Sequence, residues 1–256
     1  MIEALSDIPM PSGTMDAFIV HPAEGGPFPA VFILMDFWGI REEFFDIARR
    51  VATVGYTCIV PNFYYRQGRV RFELRDERGK MRSYVTIPAA EQQRMQDQLR
   101  KLSDQMVMED IGALLRFLRT QPVTPGPKGA IGWCLGGRYV FQAAETYPDE
   151  IRAIASMHGT RLMTDAPLSP HKLGDKCRGE IYVGYGEHDD LTGPPVRAAI
   201  ERAYGSRPDI RYRAIVHQDA HHGYALPDRD VYDKAAAERD WEHIFPMLER
   251  VLRRAS

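Results

Sequence analysis

Short apolar runs alternate with amphipathic segments along most of the chain, the pattern of an α/β fold with a mainly parallel central sheet flanked by helices. "PAVFILMDF" (29–37) and "YTCIVPNF" (56–63) read as buried strands. Between them, "REEFFDIARRVATVG" sets Phe44, Ile47, Ala48, Val51 and Ala52 on one helical face and ends at Gly55. This is a βαβ unit. Residues 62–90 interrupt the rhythm with charged, turn-rich sequence, read as either a cap or an exposed excursion. The periodicity then predicts one long helix from Glu91 to Gln121, with Met95, Leu99, Leu102 and Met106 as an apolar stripe that packs on the core. Further on, "KGAIGW", "IRAIASMHG", "GEIYVGYGE" and "DIRYRAIVH" read as strands, and "GGRYVFQAAETY" and "PPVRAAIERAYG" as helices. The tail from Tyr232 to Arg253 is predicted helical, with a kink at Pro246.

Composition narrows the function classes. With 256 residues, 44% of them hydrophobic, the chain can bury a large core, and 1–256 is read as a single domain. A net charge of −2 gives no general pull toward nucleic acid. The one basic stretch, "RQGRVRFELRDERGKMR", is interrupted by Glu73, Asp76 and Glu77 and reads as a solvated hairpin. The opening "MIEALSDIPMPSG" lacks the basic start and apolar run of a leader, and no stretch has the length and apolarity of a membrane span. Cys58, Cys134 and Cys177 are too few and too scattered for a disulfide scaffold or a structural zinc site. The expectation is a cytoplasmic protein, monomeric or a small homo-oligomer, with no nucleic-acid or membrane partner.

The chemistry gathers around "GAIGWCLGGRYVF". Gly132-Trp133-Cys134-Leu135-Gly136-Gly137 follows a strand and opens a helix, the context of a nucleophile elbow with cysteine in place of serine. Glycines relieve crowding in so sharp a turn. The helix N-terminus favours negative charge on the sulfur, and the Leu135 N–H is placed to receive an oxyanion. A thiol nucleophile needs a base, and the base needs an orienting carboxylate. In hydrolases with this elbow the chain order is nucleophile, acid, histidine. Here "EHDDL" offers Asp189 or Asp190, and "VHQDAHHGY" offers His217, His221 or His222. The loops carrying them end at the sheet edge that bears Cys134. His217 and His221 also have the spacing of a metal pair, but they fall in strand and loop with no third ligand in view, so no metal is expected.

"GWCLGG", "GYTCIVPNFYYR", "GEHDD" and "HHGY" together resemble the dienelactone hydrolase family of α/β-hydrolases, over most of the chain. The resemblance implies an α/β-hydrolase fold without cofactor and hydrolysis of a small ester or lactone through an acyl-cysteine. It selects Asp189 and His222 as partners of Cys134, and Phe37 as the second oxyanion donor beside Leu135. Family members carry Glu where this chain has Asp36, a residue that tunes the nucleophile, and a substrate-binding Arg where this chain has Leu226. Arg229 is a nearby substitute, and Arg94 matches a second substrate-binding Arg. Trp38, Phe63, Tyr64 and Tyr65 are candidates for an aromatic acyl pocket or for core. Two other readings keep the same fold: a thiol sensor or binding protein without turnover, and a thioester or amide hydrolase.

Overall fold

The computed structural model describes residues 1–253. Eight strands among them form one sheet: β1 (Ile2–Met10), β2 (Gly13–His21), β3 (Ala30–Leu34), β4 (Thr57–Pro61), β5 (Lys128–Trp133), β6 (Ile151–Met157), β7 (Gly179–His188) and β8 (Ile210–His221). Their order across the sheet is β1-β2-β4-β3-β5-β6-β7-β8. β1 pairs antiparallel with β2, and β2 with β4, whereas every later neighbour is parallel. β3, β4 and β5 are buried over their whole length, which is why they read as unbroken apolar runs.

Strand alternation decides which helices cover which face. On β5, Trp133 meets Phe44 of α1 (Glu42–Ala52) and Trp241 of α6 (Lys234–Leu252), and Gly129 lies under Leu248 and Leu252. The intervening Gly132 faces the other way, onto the start of α4 (Leu135–Thr146). Thus α1 and α6 cover one face, tied together by an Arg50–Glu238 ion pair at 2.6 Å, and α4 covers the opposite face.

One expectation needed revision. The long helix is two, α2 (Ala89–Arg100) and α3 (Asp104–Leu118), because Ser103 caps the second by accepting the Met106 N–H at 3.2 Å. The tail is helical as expected, α6 carrying Pro246 inside it. The β1–β2 hairpin was not anticipated at all.

The charged segment after β4 is packed rather than splayed into solvent. Phe63, Tyr64 and Tyr65 enter the main core, while Phe72, Met81 and Ile87 join Trp38 and Met95 in a second, smaller apolar cluster. Three of its basic residues are matched by carboxylates: Arg66 with Asp110 at 2.7 Å, Arg71 with Asp16 at 2.6 Å and Arg69 with Asp7 at 2.7 Å. Among the described residues, no helix is long and apolar enough to cross a membrane.

Candidate active site

All the parallel strands point their C-terminal ends toward one edge of the sheet, and the loops leaving that edge carry the reactive side chains. Cys134 stands between β5 and α4 with φ 52° and ψ −110°, a left-handed backbone that a non-glycine residue holds only under constraint. The constraint is visible. A Cβ at Gly132 would lie 2.2 Å from the Gly136 carbonyl oxygen, and one at Gly136 would lie 2.3 Å from that of Leu34. The Cys134 N–H donates to the Met157 carbonyl at 3.1 Å, and its carbonyl accepts the Thr160 N–H at 3.0 Å, so the end of β6 clamps the turn. Cys134 is partly exposed, unlike Cys58 and Cys177. Burial pushes the Cys177 thiol up to about 12 and the Cys58 thiol higher still.

Leu135 is the first residue of α4, so its N–H has no acceptor within the helix. The Phe37 N–H, on the loop after β3, carries no backbone hydrogen bond among the described residues. The start of α4 packs closely on the end of β3, with no room for a Cβ at Gly136 beside the Leu34 carbonyl.

Asp189 is buried after β7 and both its oxygens are committed. Oδ1 accepts the Leu191 N–H at 3.0 Å, and Oδ2 takes the Nδ1–H of His222 at 2.9 Å. Burial alone would pull His222 down. Interaction with Cys134, together with its bond to Asp189, outweighs this and lifts it to about 10. Cys134, Asp189 and His222 are therefore brought together, while Asp190 and His221 remain exposed. His217 is buried elsewhere, its Nε2 2.7 Å from Asp240, which also accepts from the Tyr182 and Tyr224 hydroxyls at 2.6 and 2.8 Å.

The raised His222 value has a definite sign. A group that binds its proton more tightly when folded contributes stability that is complete below about 6.5 and is lost as pH climbs through about 10. Between pH 7 and 10 the urea midpoint of the wild type should therefore fall more steeply than that of His222→Gln. Parallel slopes would contradict this electrostatic picture.

The remaining candidates separate. Asp36 is turned onto Arg41, with Oδ1 and Oδ2 at 2.8 and 3.0 Å from the guanidinium, and Oδ1 also accepts the Trp38 N–H at 2.8 Å. It shapes the loop that presents Phe37. Arg94 is exposed, 3.3 Å from Glu91 and stacked on Phe72. Arg229 is the opposite case: it is 4% exposed, its guanidinium carbon lies 5.5 Å from the centre of the Trp38 ring, and its Nε has no partner among the described residues. Leu226 belongs to the core. Phe63 packs edge-on against Tyr139, Tyr65 bonds to Asp110 at 2.9 Å, and Tyr64 donates to the Phe37 carbonyl at 3.0 Å.

His158, absent from the sequence-based candidates, sits directly after β6 with its ring 4.9 Å from that of His222. Its place one residue past a parallel strand is the signal that could have found it.

Residues 15–252 match the model of the dienelactone hydrolase family. A relative from Methylorubrum extorquens, provisionally named a carboxymethylenebutenolidase, is 29% identical over 248 residues, spanning 93% of this chain and 77% of its own. The crystal structure of a provisionally named dienelactone hydrolase from Klebsiella pneumoniae superposes with a TM-score of 0.81 at 21% identity, covering 97% of this chain and 98% of its own. A dienelactone hydrolase-like promiscuous phosphotriesterase from metagenomic libraries gives 0.76 at 18% identity, covering 98% of each chain.

Proposed function

The chain belongs to the dienelactone hydrolase family of α/β-hydrolases, and from that premise we propose that it cleaves a small carboxylate-bearing ester or lactone through an acyl-cysteine. The observation that carries this reading is the His222 ring, bonded to Asp189 at Nδ1 and in electrostatic contact with Cys134. Asp189 fixes the tautomer that leaves Nε2 free for proton transfer. The Cys134 thiol passes its proton to Nε2 of His222, and the sulfur attacks the substrate carbonyl carbon, forming an S–C bond while the carbonyl π pair moves onto oxygen. The N–H groups of Leu135 and Phe37 receive that oxyanion. Collapse expels the alkoxide or enolate, which takes a proton from His222. Water then gives a proton back to His222, attacks the thioester and frees the acid and the thiol.

Arg229 supplies the preference for an anion. Its Nε has no partner among the described residues, and a buried guanidinium left so is costly to maintain unless a ligand completes it. Stacking on Trp38 holds its plane, and the packed segment 62–88 behind Trp38 acts as a cap that walls the acyl pocket.

Turnover of enol lactones and aryl esters, with and without a carboxylate, tests both statements. The wild type should favour the anionic members. Arg229→Met should raise KM for them by about 10- to 100-fold while changing the neutral ones little, as expected for loss of a charge-assisted bond. A single stoichiometric burst with no turnover would overturn the hydrolase reading.

A further inference from the structure

His158 combines three local costs at one residue. Its backbone has φ 38°, a left-handed conformation uncommon for any residue other than glycine. Its side chain is fully buried. Neither Nδ1 nor Nε2 bonds to another residue among the described residues, and a buried polar atom left so is costly. A phenyl ring would fill the same space without the last of these. Such local conflicts persist where function maintains them.

The surroundings say what is maintained. The ring meets His222 edge-on, with centroids 4.9 Å apart and planes at 74°, and is backed by Tyr224 at 5.5 Å. Tyr224 is itself pinned by its hydroxyl to Asp240 on α6, which also holds His217 and Tyr182. The charged and titratable groups around it are His222, Arg229 and Tyr224 from the loop after β8, with Cys134 and Asp189 reached through His222. Burial, and then the charges of His222 and Arg229, hold His158 well below the usual histidine range and keep it neutral.

We propose that His158 is a positioning residue for His222: its neutral imidazole, held edge-on to the neighbouring ring, favours through its dipole the charged form of His222 that faces Cys134. The interaction needs no hydrogen bond between the two rings, and it needs a rigid wall, which Tyr224 and Asp240 supply. Linkage is reciprocal: a proton on either ring opposes one on the other, so a neutral His158 leaves the His222 proton unopposed.

This proposal rests on Cys134 and His222 acting together, as in the hydrolase reading, but its test does not require the substrate. Iodoacetamide alkylates Cys134, the partly exposed thiol, with an S–C bond formed and iodide released, while Cys58 and Cys177 are buried. Rates at pH 7 and pH 10 are compared for wild type, His158→Phe and His158→Asn, with peptide mapping to place the label and thermal unfolding to verify the fold. Access and packing change both rates alike, whereas loss of the charged His222 slows only the reaction at pH 7. In each variant the ratio of the pH 7 rate to the pH 10 rate should fall by about 10-fold, the equivalent of one pH unit of lost coupling. Asn tolerates a positive φ and remains decisive if Phe does not fold. A ratio within about two-fold of wild type in a folded variant overturns the proposal, whatever the turnover assays show.

Discussion

Cys134→Ala removes turnover, with kcat falling by about 10³-fold or more, while the thermal midpoint stays within a few degrees of wild type. The size follows from the absence of a substitute. Cys58 and Cys177 are buried away from the elbow with their thiols held protonated, and the remaining oxyanion donors can only assist water. The stability follows from the side chain's place at the tip of a turn whose clamp is made by backbone groups, the Met157 carbonyl and the Thr160 N–H. Ester hydrolysis measured alongside unfolding checks both halves. Retained turnover would remove the acyl-cysteine from the mechanism.

Gly136→Ala, one methyl group, should do nearly as much by a different route. The new Cβ would fall 2.3 Å from the Leu34 carbonyl oxygen, 2.7 Å from its carbon and 2.8 Å from the Met35 oxygen. All three are backbone atoms, so no rotamer change relieves the overlap, and the start of α4 must draw away from β3. That separation parts the Leu135 and Phe37 N–H groups. The expected result is a destabilisation of about 2–4 kcal/mol and a loss in kcat of about 10²-fold, the cost of one misplaced oxyanion donor. Urea unfolding and steady-state kinetics on the soluble variant separate the two effects. A variant with wild-type kcat would show that the two amides do not act as a pair.

The legible part of the molecule was the part governed by local rules. The buried strands announced themselves as apolar runs, and the elbow was readable because Gly132 and Gly136 have a steric reason visible in their spacing. The choice of Asp189 over Asp190, and of His222 over His221, came from the family resemblance; burial and the 2.9 Å bond distinguish them in space. Three features were hidden for identifiable reasons. The β1–β2 hairpin has its turn at Pro11-Ser12-Gly13, with Gly13 at φ +132°, but most of β1 faces solvent and its alternation is weak. The break between α2 and α3 depends on Ser103, a polar residue that looks tolerable inside a helix until its cap is seen. The setting of His158 depends on the loops after β6 and β8 meeting, which no local pattern encodes.

Asp36 has a consequence beyond the site itself. Arg41 grips it from one side and Asp228 from the other, with Nε 2.6 Å and Nη2 3.0 Å from the Asp228 carboxylate. The loop that offers Phe37 and Trp38 is thereby bolted to the loop that offers Arg229, although they lie far apart in the chain. Neither loop is a free cassette. Specificity cannot be exchanged between relatives by grafting residues 224–231 alone, because the transplanted loop would arrive without its counterpart for Arg41 and strand a buried cation. In this scaffold the acyl-side and carboxylate-side walls are inherited together, and useful recombination has to carry Asp36, Arg41 and Asp228 as one block.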